Sequence, residues 1–329
     1  MIFFRRRRDR EKVGDGLRVE HPRYLGDEPT VLGVFSGKGG CGKSSIATSL
    51  CLLFSGLGYG CMLVDFDVVN ATSTSQLFSL DRESLDVDVN ASVLHILGGE
   101  GEIAFIQPRR LSIPLYNNID EGYDASKKLW VLPARLPRAE NINLLNRIGK
   151  RKGDVEHYVR AIVEGASQLA RGKRIKYVIL DTPPMKPEGR ASFSGYDEMI
   201  STAMAESSYI LAISSYDVQA VQGLITLISG RYPYAMRKID ALVINMAPED
   251  PGEMGEEIRV VARSWAGIER TAFIRYDSAW AQLASHIPPI AYRLGGASED
   301  LIRVAYQLGY ISKKDMEKLG IPMIKQGTR

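Results

Sequence analysis

The stretch Gly37-Lys-Gly-Gly-Cys-Gly42-Lys43-Ser44 carries chemistry in its spacing. Gly37-x-x-x-x-Gly42-Lys43-Ser44 fits the phosphate-binding loop pattern. Its glycines let backbone N–H groups turn toward phosphate oxygens, and the helix that follows adds the partial positive charge of its N-terminus. In such a loop Lys43 reaches the β- and γ-phosphates of a nucleotide and Ser44 ligates Mg²⁺. The candidate cradle is therefore Gly37, Lys38, Gly39, Gly40, Cys41, Gly42, Lys43, Ser44 and Ser45. One phosphate loop needs one lysine, yet Lys38 stands five positions before Lys43. Taken alone, Lys38 could be a solvated loop residue that only raises the local potential.

A strand must deliver this loop and a helix must receive it. Val31–Phe35 is an apolar run and Ser44–Phe54 a helical pattern, so both are predicted. Further apolar runs occur at Cys61–Val64, Leu129–Leu132, Tyr177–Leu180, Tyr209–Ile213, Ala241–Ile244 and Thr271–Ile274. They are continuous rather than alternating, which marks strands buried on both faces. Helical patterns at Val155–Arg171, Gly195–Ala205, Gln219–Ser229 and Ala297–Leu308 separate them. The alternation predicts an α/β fold with a single doubly wound, mostly parallel β-sheet flanked by helices. Residues 30–310 read as one domain, after a basic flexible extension over 1–29 and before a tail over 311–329.

Bulk composition narrows the class. Of 329 residues, 45% are hydrophobic and 25% charged, as in soluble globular proteins. The longest uncharged run, between Lys43 and Asp65, is broken by Gly56, Gly58 and Gly60 and reads as helix, turn and strand rather than a membrane span. Ile2-Phe3-Phe4 passes directly into Arg5–Arg8 without the apolar core of a secretory signal. Cys41, Cys51 and Cys61 form no metal-binding spacing, and their odd number argues against a disulfide framework. They are expected to be reduced, in a cytoplasmic protein. Eight Lys/Arg against four Asp/Glu lie in residues 1–23, so the net charge of +3 resides in the lead and the body is near neutral.

The pair of lysines makes the loop more specific. KGGCGKS resembles the deviant Walker A motif, KGGxGK[ST], of the ParA/MinD family of dimeric ATPases. The resemblance implies a SIMIBI-like P-loop NTPase with ATP and Mg²⁺, in which Lys38 touches nucleotide bound by the partner of a homodimer. Val64-Asp65-Phe66-Asp67-Val68-Val69-Asn70-Ala71-Thr72 is similar to the family's VDxDPQGNAT segment. It gives Asp67, 24 residues beyond Lys43, the task of positioning the attacking water, and Asp65 a place near Mg²⁺ or the signature lysine. Asn70 follows at three residues and the Pro-Gln pair is absent, which leaves Asn70 without an inherited role. Tyr177-Val-Ile-Leu-Asp181-Thr-Pro-Pro184 resembles the Walker B strand, so Asp181 is the expected holder of a Mg²⁺-bound water, with a switch-like loop running on to Tyr196. Asn245 ends a strand where the family reads adenine with an amide. Phe273-Ile-Arg-Tyr276-Asp277 resembles the adenine-side loop with Arg275 in place of proline, which carries base contact weakly to Tyr276 and Asp277. Read without the resemblance, the carboxylates could cap helices and Asn245 could form a turn.

Within such a family, function depends on what each nucleotide state binds. Paired cysteines for a cluster and a C-terminal tyrosine cluster are both missing from the sequence. A partition ATPase is the favoured expectation, with nonspecific DNA bound in the ATP state and a ParB-like, DNA-bound activator. Candidate phosphate contacts are Arg5–Arg8, Arg171, Lys173, Arg174, Lys176, Lys313, Lys314 and Lys318, each of which could equally be a solvated surface charge. The alternatives are a MinD-like positioning factor that touches a membrane through FFRRRR, or a nucleotide-dependent scaffold with almost no turnover.

Overall fold

The computed structural model describes residues 26, 28–78, 92–99, 103–108, 111–115, 118–134, 154–185, 195–283, 287–292 and 294–323. Seven strands form one sheet: β1 (Thr30–Ser36), β2 (Cys61–Asp65), β5 (Leu129–Leu132), β6 (Tyr177–Asp181), β7 (Tyr209–Ser215), β8 (Ile239–Ala247) and β9 (Thr271–Arg275). They are the seven apolar runs, ordered β5-β2-β6-β1-β7-β8-β9, and every pairing is parallel. Parallel strands need crossovers, and the helices supply them on both faces. A separate antiparallel hairpin, β3 (Ser112–Leu115) with β4 (Asn118–Asp124), was not legible as strands.

Side chains of each strand feed two cores in turn. Leu32 and Val34 of β1 pack with α1 (Lys43–Gly56), α9 (Gly296–Gln307) and α10 (Lys313–Lys318). Val31 and Phe35 face the other side, with α3 (Val93–Leu97), α4 (Asp154–Gly172), α5 (Tyr196–Glu206), α6 (Val218–Arg231) and α7 (Gly252–Ala266). Two short helices, α2 (Thr72–Phe78) and α8 (Ser278–Leu283), lie at the carboxyl end of the sheet, beside the loop after β1. Burial on both faces is why the runs lack alternation.

Two findings depart from expectation. Cys51 and Cys61 are joined as a disulfide, Cα atoms 5.3 Å apart, which corrects the reading of three reduced thiols. The turn after α1 folds back, with the N–H groups of Tyr59 and Gly60 donating to the Phe54 carbonyl, and thereby lays the end of α1 over the start of β2. Only Cys41 remains a free thiol, and it is buried. Secondly, the chain after 310 is packed on the body as far as Ile321. Met316, Leu319 and Ile321 join the core, and a capping box formed by Ser312 and Asp315 starts α10. The Tyr59 hydroxyl donates to Asp315 Oδ2 at 2.5 Å. The Arg5–Arg8 cluster and residues 186–194 of the expected switch loop lie outside the described residues.

Candidate nucleotide site

β1 ends at Ser36 and α1 starts at Lys43, so the six residues 37–42 turn the chain at the carboxyl edge of the sheet. Gly40 and Gly42 have φ of 80° and 84°, where a side chain would be strained. Gly42 is constrained further, because a Cβ there would lie 2.1 Å from Asn245 Nδ2. That amide donates to the Cys41 carbonyl at 2.9 Å, so the end of β8 braces the loop.

Lys43 and Asp181 meet across this edge. Lys43 Nζ donates to Asp181 Oδ1 at 2.5 Å and to Ser44 Oγ at 3.2 Å, and Lys43 and Asp181 are 6% and 0% exposed. Burial works against the lysine charge, but the Asp181 carboxylate outweighs it, helped by Asp67 and Asp65, and holds the Lys43 pKa above its ordinary value. The Ser73 hydroxyl donates to the second oxygen, Asp181 Oδ2, at 2.5 Å.

Asp65 is paired with Asp181 in the β2–β6 register and is fully buried. Burial and then the neighbouring Asp181 charge push its pKa up to about 8, against hydrogen bonds from Thr74. Both Asp65 oxygens are engaged: Oδ2 accepts from Thr74 N and Oγ1 (2.9 and 2.8 Å), and Oδ1 accepts from Asp67 N (3.0 Å). Three polar residues of α2 thus reach into the site. After Ser73 and Thr74 comes Gln76, which donates to Ser45 Oγ at 2.9 Å and accepts from Thr48 Oγ1 at 2.6 Å. Sequence reasoning missed all three; the density of hydroxyls in TSTSQ after the carboxylate segment was the available signal.

Asp67 is buried, whereas Asn70 is exposed above it and donates to its carboxylate from both backbone and side chain. Lys38 is exposed and its side chain has no partner among the described residues. Gly39 and Gly40 are also exposed.

A cavity beside the loop is lined by Gly42, Ser45, Asn245, Met246, Tyr276 and Trp280, among others. Tyr276 is 59% exposed at its rim. Asp277 lines it too, but its Oδ1 accepts from Ala279 N and Trp280 N, capping α8, and its Oδ2 accepts from Ala297 N of α9 at 3.4 Å. Arg275 forks onto Asp300, with both side-chain contacts at 2.7 Å, and so fastens β9 to α9 where the resembling loop has proline.

The residues fit Mg²⁺. Ser44 and Asp181 offer hard oxygens bridged by one ammonium group, the donor chemistry that cation prefers. Among the described residues no three His, Cys, Asp or Glu gather into a protein-only metal cage. Such a sparse set suits a cation whose remaining ligands are phosphate and water.

Known proteins share the family domain and the fold. Residues 32–290 match the family model described as the CobQ/CobB/MinD/ParA nucleotide binding domain. No curated protein matches the chain by sequence. Among solved structures, the septum site-determining protein MinD with Mg-ADP from Pyrococcus horikoshii is 16% identical, with a TM-score of 0.58, covering 85% of this chain and 96% of its own. The cell division ATPase MinD of Pyrococcus furiosus is 17% identical, with a TM-score of 0.57 and coverage of 88% and 99%. A plasmid partition protein of Borrelia burgdorferi bound to AMPPNP is 15% identical, with a TM-score of 0.56 and coverage of 85% and 99%. At such identities the likeness shows a shared fold.

Proposed function

The chain belongs to the CobQ/CobB/MinD/ParA nucleotide-binding family, and on that premise we propose that it is an ATP-hydrolysing switch that dimerises when ATP binds. The observation that carries this reading is the contrast between the two loop lysines. Lys43 is buried against Asp181, whereas Lys38 stands exposed without a side-chain partner among the described residues. A lysine on the outer face of a phosphate loop is suited to a nucleotide held by a second copy.

In this reading Lys43 and the loop amides hold the phosphates of the substrate ATP, and Asn245 and Tyr276 frame the base. Asp67 accepts a hydrogen bond from the attacking water. Ser44 and Asp181 are the residues that would hold Mg²⁺, with Asp65 behind them. Bound there, the cation neutralises phosphate oxygens during transfer. Stopped-flow binding of a fluorescent ATP analogue, with sedimentation of the chain with and without ATP and Mg²⁺, tests the reading. A monomer at every nucleotide condition would remove it.

For the output, DNA partition or positioning is the favoured role, with a ParB-like activator as partner. Several candidate DNA contacts are engaged locally. Arg171 pairs with Glu28 (3.3 Å), Lys173 lies 4.0 Å over the Trp130 ring, Lys176 donates to the Gly26 carbonyl at 2.7 Å, Lys313 pairs with Glu317 (3.6 Å) and Lys318 with Asp315 (3.3 Å). Nonspecific DNA contact would therefore rest on Arg5–Arg8, Arg174 and Lys314. Binding to random duplex that needs ATP and weakens steeply with salt is the expected result. The same local engagement favours a second reading, a MinD-like factor acting on protein or membrane, for which ATP-dependent liposome co-sedimentation is the discriminating assay.

A further inference from the structure

Asp67 has a guard. Asn70 Nδ2 donates to Asp67 Oδ1 at 3.1 Å and to Oδ2 at 2.9 Å, and Asn70 N donates to Oδ1 at 3.1 Å. A carboxylate offers about four acceptor lobes, so these contacts leave one, on Oδ2. Asp67 is 3% exposed while Asn70 is an exposed residue, so the amide lies between the carboxylate and solvent. The placement is built in by the backbone. Ala71 takes a φ of 50° and its N–H donates to the Asp67 carbonyl at 2.7 Å, closing a turn that carries Asn70 back over the carboxylate.

We propose that Asn70 is a positioning residue that restrains Asp67 and acts as a brake on ATP hydrolysis. The inference rests on the ATPase reading above, and it deepens that reading at a segment where the chain departs from the family pattern. A water molecule that Asp67 is to orient must donate a hydrogen bond to it. With the amide in place, water must either share Oδ2 with Asn70 Nδ2, at the one remaining lobe beneath the exposed side chain, or displace the amide. Hydrogen bonds to charged groups are among the stronger ones, so displacing the amide raises the barrier to the step without touching the phosphate cradle. Binding of ATP is then independent of Asn70, and turnover is not. A partner that draws Asn70 away would accelerate hydrolysis without adding a catalytic group.

The test compares the full chain with Asn70→Ala, Asp67→Ala and the double variant, measuring kcat and KM for ATP together with direct nucleotide affinity. The turn survives in Asn70→Ala, because the backbone bonds of residues 70 and 71 to Asp67 do not need the amide. The brake predicts a kcat about tenfold higher in Asn70→Ala, the effect of losing one charge-assisted hydrogen bond, with KM and affinity unchanged. The gain must vanish in the Asp67→Ala background, which a general loosening of the loop would not produce. Unchanged or reduced kcat in Asn70→Ala overturns the inference, as does a gain that persists without Asp67. If Asp67→Ala hydrolyses ATP like the unaltered chain, the assignment of Asp67 fails and the brake fails with it. Loss of nucleotide affinity in the unaltered chain would instead identify failure of the ATPase reading itself.

Discussion

Lys43 and Asp181 are each other's counter-charge, 2.5 Å apart and buried where β1 and β6 end. Any ligand that draws the ammonium toward phosphate leaves the carboxylate without its cation. Phosphate and metal are therefore expected to bind together, one replacing each half of the pair. Chelation of Mg²⁺ should lower ATP affinity by at least about tenfold. Calorimetric titration with and without EDTA measures this, and equal affinity in the two conditions would contradict it.

The same pair bears on stability. Lys43→Ala leaves a buried carboxylate with Ser73 as its remaining partner, at a cost of about 3 kcal/mol, and abolishes ATP binding. Lys43→Met combined with Asp181→Asn should recover most of the stability and none of the binding. Urea denaturation beside nucleotide titration separates the two effects; a single variant as stable as the parent would show that the ion pair does not hold the site.

Lys38→Ala should leave stability within about 0.5 kcal/mol of the parent, as for an exposed side chain without partners. It should nevertheless prevent the ATP-dependent dimer. Mixing Lys38→Ala with Asp67→Ala subunits confines each defect to one copy, and light scattering of the mixture reads whether the lysine acts across the interface.

Burial raises the Asp315 pKa, but hydrogen bonds from Ser312 and Tyr59 outweigh burial and hold it below the ordinary carboxylate value. Because the folded value is the lower one, the unfolded chain binds more protons between the two, and stability rises with pH through that window. The contribution is complete above the ordinary carboxylate pKa of about 4 and is lost as pH falls through the folded value. Asp315→Asn should cost about 1–2 kcal/mol near neutrality, through the capping box and the Tyr59 contact, and should flatten the acid limb of a stability–pH curve. An unchanged acid limb would show that α10 is held by its apolar residues alone.

The Cys51–Cys61 bond closes a loop of ten residues, worth about 2–3 kcal/mol by loop entropy. Thiol titration of the denatured, non-reduced chain should find one free group, Cys41. Three would mean that the sulfurs meet without bonding.

The strands were readable because both faces of the sheet are covered, so Tyr177–Leu180 and its counterparts are apolar without interruption. The helix Gly252–Ala266 escaped notice because only Gly255, Ile258, Val261 and Ala262 are buried on it, a narrow stripe behind an acidic start. Lys43, Ser44 and Asp181 lie in contiguous motifs, and the fold brings these three together. Ser73, Thr74 and Gln76 carry no motif; their work comes from α2 docking on strand ends that are distant in sequence. Asn70 stood in plain view as a departure from pattern, but its contact to Asp67 depends on a left-handed Ala71 that no sequence rule supplies.

Asn245 touches the loop carbonyl of Cys41 and leaves no room for a side chain at residue 42. The group suited to reading a base is thus also a structural neighbour of the phosphate cradle, 203 positions away in the chain. Discrimination among bases and grip on phosphate then share one amide, and neither trait can drift freely under selection. Lineages that change residue 245 should carry a compensating change in the turn at 41–42, so the two sites are expected to evolve as a single unit.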